Sequence, residues 1–322
     1  MIDRRALISG LLSIGTPTAA HAQTRRMIGK IGYLNPASVG VGAISLATMI
    51  PIWERLGYVL GKTILLRSAE RDPRRLPELV AELINLEVGV LVVFGAVAVR
   101  AASQTATSTP IVAVDFETDP VRSGLAVSLA HPGGNVTGLF LDQSSLAEKW
   151  LQLLREATPQ IERVAIVWDP KSGPDQLDAS MAAARAMGMQ ALVLEMQTSE
   201  EFETFRNLGN GPRTGIVVLA SPFLNYFPAR LAQFSLKYRL PTISFYKPHA
   251  NAGTLMSYGP NLEVYFPRGA ILADQILKGA KPSDLPIERP TKFELVINLK
   301  TAKELSISVA PALLSLADEV IE

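Results

Sequence analysis

The feature that most restricts the fold of this chain is a set of short, uninterrupted apolar runs that recurs at a nearly constant offset. "KIGYLNPAS" at Lys30 is echoed by "RVAIVWDPKS" at Arg163, "VLVVFGAV" by "GIVVLASP", and "TPIVAVDF" by "LPTISFYK". Pro36 and Pro170 lie 134 residues apart, Pro110 and Pro241 131. Runs of Val, Ile and Leu without polar alternation read as strands covered on both faces, the pattern of parallel sheets with helices on each side. Strands are expected at 28–34, 64–67, 90–94 and 111–116, then at 163–168, 192–195, 216–219 and 242–245. Helical periodicity fills the gaps at 43–56, 76–86, 97–107, 174–187, 200–208 and 226–239. Three matched pairs in one order describe a single α/β unit built twice.

A third segment follows the repeat. "GTLMSYG" reads as a strand and 262–278 as a helix ended by Gly279, with Pro267 inside the pattern kinking it or delaying its start. "KFELVINLK" is a last strand, and 310–314 a short last helix. Between the two repeats stands "HPGGNVTGLF", where Gly133 and Gly138 have the spacing of a phosphate-binding loop. Such a loop needs Lys and then Ser or Thr after the second glycine, and Leu139 and Phe140 stand there. With helical 121–129 before it and a helix at 144–157 after it, the stretch is expected to bend the chain between halves, with Gly133, Gly134 and Gly138 as hinge residues.

The N-terminus belongs to neither repeat. Arg4 and Arg5 precede an apolar run from Ala6 to Ile14, Pro17 breaks it, and Ala20-His21-Ala22 forms an A-x-A cleavage site. Residues 1–22 are therefore expected to be a secretory signal, leaving a protein that is soluble in the periplasm. The whole chain carries 31 basic and 30 acidic residues, a balance that gives no electrostatic case for nucleic acid. It has no cysteine, which excludes thiol catalysis, disulfides and Cys-based zinc sites. His131 and His249 are isolated in sequence, so no metal site and no cofactor is expected.

"DPVRSGLAVSLAHPGGNVTGL", "LMSYGP", "ADQILKGAKPSDLP" and "PTKFELVINLKTAKEL" running on to "LLSLADEVIE" resemble exported substrate-binding proteins of ABC transporters, of the tryptophan/tyrosine-type group. The resemblance spans the mature chain nearly end to end. It implies a type I periplasmic binding protein: α/β, with two Rossmann-like parallel-sheet domains joined by a three-crossover hinge. It further implies a monomer that closes on a small-molecule ligand and hands it to a membrane permease. By that analogy residues 27–138 and 250–285 form the N-terminal domain, and 139–249 and 286–322 the C-terminal one. The chain departs from the family at Lys247-Pro248-His249, where acidic residues are usual, and along "VLGKTILLRSAERDPRRL". The first departure suggests a ligand other than the commonest of the family.

In open α/β sheets ligands bind beyond the carboxyl ends of the strands, at topological switch points. That rule selects Asn35 and Ser38, Gly95 and Ala96, and Phe116 in the first half, then Trp168 and Asp169, Ser221 and Phe223, and Tyr246 in the second. Helix N-termini after residues 94 and 219 suit a ligand carboxylate. The aromatic rings offer stacking walls and Asp169 a partner for an ammonium. Glu117 and Asp119 could do acid–base work, but their place at a strand end favours a solvated or capping role, Asp119-Pro120 having the form of an N-cap. No G-x-S-x-G elbow occurs. Two other readings remain: a secreted Rossmann-like enzyme acting on a nucleotide-type substrate, against which the missing G-x-G-x-x-G fingerprint counts, and a sensor subunit that presents its ligand to a receptor.

Overall fold

The computed structural model describes residues 29–36, 43–208, 213–221 and 223–322. The signal segment and Ser38 lie outside the described residues.

The first half is β1 (Ile31–Asn35), helix α1 (Ala43–Arg55), β2 (Ile64–Ser68), α2 (Leu76–Asn85), β3 (Val90–Val93), α3 (Ala96–Thr105), β4 (Ile111–Ala113) and β5 (Val136–Gly138). Its sheet is parallel throughout, in the order β2-β1-β3-β4-β5. Every residue of β1 and β3 is buried, as the unbroken apolar runs require of strands sandwiched by helices. The second half repeats the plan: α4 (Ala147–Ala157), β6 (Arg163–Trp168), α5 (Asp175–Ala186), β7 (Gln190–Glu195), β8 (Thr214–Val218), α6 (Pro228–Lys237), β9 (Thr242–Ser244), α7 (Lys247–Ala252) and β10 (Met256–Pro260). Strands β7-β6-β8-β9-β10 retrace the order of the first sheet. The second sheet is then extended by β11 (Phe293–Asn298), antiparallel to β10, and β12 (Glu319–Ile321), parallel to β11.

The structure differs from the sequence reading in three respects. β5 and β12 are strands of three residues, too short to show a periodicity. Residues 121–129 form turns rather than a helix; Asp119 still caps them, its carboxylate accepting from the amides of Val121 (2.8 Å) and Arg122 (3.2 Å). The expected return to the first half at residue 250 comes later, because α7 and β10 stay with the second sheet. Each repeat carries a fifth strand, so the chain leaves the second sheet only after Pro260. Helices α8 (Leu262–Tyr265) and α9 (Pro267–Leu277) then pack on α1, with α9 also against β3 and β4. Pro267 starts α9 at its first turn, where its missing N–H costs nothing. Trp53 donates its indole N–H to the carbonyl of Ala270, and Tyr58 its hydroxyl to Asp274 at 3.0 Å, fixing α1 to α9.

The remaining chain is α10 (Leu299–Glu304) and α11 (Pro311–Leu314). The halves are joined where the chain passes at 138–142, 260–262 and 286–293. Two of these passages run side by side: the Phe140 amide donates to the carbonyl of Glu288 (2.9 Å), the Glu288 amide to that of Gly138 (2.9 Å), and Arg289 pairs with Asp142. In the third, the Asn261 side chain donates to Glu294 at 2.7 Å.

Candidate functional site

The carboxyl ends of both sheets face a cleft of about 700 Å³. The loops after β1, β2, β3 and β4 contribute Pro36, Arg71, Gly95, Ala96 and Glu117. The loops after β6, β7 and β8 contribute Asp169 to Ser172, Gln197 to Ser199, and Phe223, Tyr226 and Phe227. Strand order reverses between β2-β1 and β3 in one sheet and between β7-β6 and β8 in the other, so the wall forms at both switch points.

Of the residues picked from sequence, Gly95, Ala96, Asp169 and Phe223 line this cleft. Asn35 is buried beneath it, its carbonyl accepting from the Ala69 amide at 2.9 Å. Phe116 is 1% exposed and packs in the first-half core. Trp168 turns its ring onto the second-half core and donates its indole N–H to the carbonyl of Gly173 (2.9 Å), so it braces the loop rather than walling the ligand space. The Ser221 hydroxyl is spent on Asp169 (2.8 Å) and on the Leu224 amide (3.1 Å). Tyr246 packs edge-on to Phe245 and His249 and borders a separate cavity of about 120 Å³. Lys247 pairs with Glu319 at 2.5 Å and, with Pro248, lines that smaller cavity rather than the cleft. Gly133 and Gly134 sit in the loop before β5, within the first half; only Gly138 stands at a passage between halves.

Sequence reasoning missed the loops of the edge strands. Arg71, after β2, and Gln197 to Ser199, after β7, reach the cleft. The duplication was the available signal, since β2 and β7 hold equivalent places beside β1 and β6. Glu70 and Arg71 both adopt left-handed backbone (φ 51° and 68°), unfavourable for residues with a Cβ, and the Arg71 amide is held by the carbonyl of Pro36 (2.9 Å). This turn carries the Arg71 guanidinium over the ring of Tyr226, 5.1 Å from its centroid, a cation–π contact from one half to the other. Burial raises the Tyr226 phenol above its ordinary range, with Arg71 opposing. Arg71, Arg100 and Lys171 form no ion pair among the described residues, so the cleft holds cations with donors to spare.

The anionic side is equally built. Asp169 caps the turn Pro170–Ser172 through the Lys171 amide (3.0 Å) and takes the Ser221 hydroxyl, so both its oxygens are committed. Glu117, 6% exposed with φ 56°, was expected to be solvated or to cap a helix; it is buried, and its carboxylate accepts from the Ala96 amide at the start of α3 at 3.2 Å. The N-terminus of α3, expected to receive a ligand carboxylate, is thus already faced by the protein's own. Burial, then the neighbouring carboxylates, raise Glu117 above the usual range; burial likewise raises Asp115. Among the described residues no group of His, Asp and Glu is arranged to hold a metal ion.

Two α/β lobes of matching topology, linked by three passages and facing each other across a cleft lined from strand ends, define a type I periplasmic binding protein. The chain belongs to the ABC transporter substrate binding protein family, whose pattern matches residues 53–321. It is 23% identical over 265 residues to a tyrosine-binding protein of Clostridioides difficile (strain R20291), covering 79% of this chain and 74% of that one. An ABC domain from Streptococcus pneumonia in complex with L-Trp shares its fold with a TM-score of 0.82 at 21% identity, over 91% of this chain and 99% of that one. A ligand-free, open substrate-binding protein with adhesive properties from Clostridium difficile superimposes with a TM-score of 0.67 at 19% identity, over the same shares. The chain is a solute-binding protein of ABC transport.

Proposed function

We propose that this protein is exported, matures by cleavage after Ala22, and captures an amino acid with an aromatic side chain, or a closely related aromatic carboxylate, for delivery to a membrane permease. The observation that carries the ligand class is the Arg71–Tyr226 contact across the cleft. The guanidinium lies over the ring and forms no ion pair among the described residues, so its N–H groups stay available to fork a carboxylate, the geometry that distinguishes Arg from Lys. Phe223, Phe227 and Tyr226 supply ring surface on the same side, Phe223 and Phe227 meeting edge-on at 5.1 Å. A cleft of about 700 Å³ is roomy for one such molecule with water, and it falls within the range of small-molecule sites. The tyrosine and tryptophan bound by the relatives fit the same chemistry. The protein works as a monomer that binds and releases without chemistry, and no helix among the described residues is long and apolar enough to cross a membrane.

Native mass spectrometry of the freshly exported protein tests this. A retained adduct with the mass of an aromatic amino acid, on a chain beginning at Gln23, is expected. A chain still starting at Met1, or a sugar-mass adduct that aromatic amino acids do not displace, would refute the export step or the ligand class respectively.

A further inference from the structure

Glu117 is a cleft carboxylate that is almost wholly buried and has no ion pair among the described residues, and this inference rests on reading that cleft as an amino-acid site. Beyond β4 Phe116 enters the core, while Asp115 and Glu117, the latter with left-handed backbone, are buried outside that apolar cluster. Asp115 is satisfied: it accepts from the Glu117 amide (2.9 Å) and from the side chain of Gln143 (2.9 Å), just past the first passage between halves. Glu117 has the Ala96 amide alone and no ion pair among the described residues.

The groups around Glu117 come from every element packed there. Asp115 lies on its own segment, Asp169 comes from the other half, Arg100 lies one turn along α3, and the Tyr246 phenol sits within range of both acids. Burial and two like charges outweigh Ala96 and Arg100, which holds the carboxyl above its ordinary range. A buried carboxyl of this kind is balanced either by a proton or by a cation. Asp169, which accepts from the Lys171 amide and the Ser221 hydroxyl, adds its negative charge to the attraction for that cation.

We propose that a primary ammonium group of the ligand docks on Glu117, and that its arrival expels to solvent the proton that the Asp115–Glu117 pair shares in the ligand-free protein. Arg71, on the same lobe, receives the ligand's carboxylate, so the site selects a zwitterion. Capture is coupled to proton release, and affinity for amines falls as pH is lowered, because protons compete for the same carboxyl.

Calorimetric titration of the mature protein with L-tyrosine and L-tryptophan, and with their deaminated carboxylic acids, in neutral buffers of different ionisation enthalpy, reads the coupling. The expected result is release approaching one proton per amino acid bound and close to none for the deaminated acids. Glu117→Gln should abolish the release, weaken the amino acids roughly tenfold or more, and strengthen the deaminated acids. Infrared titration of the ligand-free protein gives a readout that needs no ligand: a protonated-carboxyl band persisting near neutral pH and missing from Glu117→Gln. Amino acids bound without proton exchange, or no such band, would overturn the proposal while leaving the amino-acid site intact. Binding of the deaminated acids alone would overturn it while leaving solute capture intact. Failure of every one of these compounds to bind the folded protein would remove the ligand class and this inference together.

Discussion

His249 shows how a residue that looked incidental in sequence is fixed by its surroundings. It is wholly buried, its Nδ1 meets the Ser244 hydroxyl at 2.5 Å, and Tyr246 stacks edge-on against it. Burial pushes its pKa down to about 4 from an ordinary 6.5. The group is therefore neutral in the fold and must charge when the chain unfolds in mild acid. Its contribution to stability is complete above pH 6.5 and is lost as pH falls toward 4, a loss on the order of 3 kcal/mol in all. His249→Gln should remove that part of the pH dependence, and denaturant unfolding of both proteins between pH 7 and 4.5 measures it. An unchanged difference between the two across that range would mean that the imidazole is not desolvated. Asp115 and Glu117 act in the opposite sense. Their raised carboxyls make the ligand-free fold bind protons more tightly than the unfolded chain, so their contribution is full below the ordinary carboxylate range and is lost as pH rises above it. Phe116 was picked for the cleft and lies in the core, because the end of a strand is visible in sequence while the direction of the side chains just beyond it is set by where β4 stops.

The short strand β5 carries more constraint than its length suggests. Gly138 ends it at φ 143°, and a Cβ there would lie 2.1 Å from the carbonyl oxygen and 2.6 Å from the amide nitrogen of Ala113. Both are backbone atoms of β4, so no side chain can swing aside. Gly138→Ala should cost about 3 kcal/mol by prising β5 from the sheet, read as a lower denaturation midpoint; a midpoint within error of the parent would show that the edge strand can shift freely. Gly259 does comparable work in β10, where a Cβ would lie 2.3 Å from the carbonyl oxygen of Phe245. At this scale the sequence was most readable where burial was complete: β6 falls on 163–168 as expected, and α2 buries Leu76, Leu79, Val80 and Leu83, one helical face. It was least readable at β5, where only pairing with β4 makes three residues a strand. The duplication of buried strands gave both switch points away. It gave Asp169 but not Arg71, which reaches the cleft by a left-handed turn that no apolar pattern records.

Closure of the whole molecule is the property that the three passages allow and the cleft contacts reward. An ion pair and a cation–π contact bridge the halves, and they differ in worth. Arg122 and Asp175 lie 3.6 Å apart with Arg122 largely in solvent, so that pair is worth about 0–1 kcal/mol and should be dispensable. Arg71 over Tyr226 is held by a strained turn and faces the ligand space, so it joins ligand contact to closure. A ligand that bridges Arg71 and Glu117 on one lobe to the rings of the other binds the closed arrangement better than an open one, and can shift the population by no more than that difference in affinity. Solution scattering should show a smaller radius of gyration on saturation with an aromatic amino acid. Arg71→Ala should weaken binding by about tenfold to a hundredfold and leave more of the protein expanded at a given ligand concentration, whereas Arg122→Ala should do neither. If Arg71→Ala weakened binding yet compaction at saturation matched the parent, Arg71 would be a ligand contact alone and closure would depend on the hinge passages. If scattering did not change with ligand in the parent protein, the lobes would already be closed before capture, and the ligand would have to enter by opening the Arg71–Tyr226 contact each time.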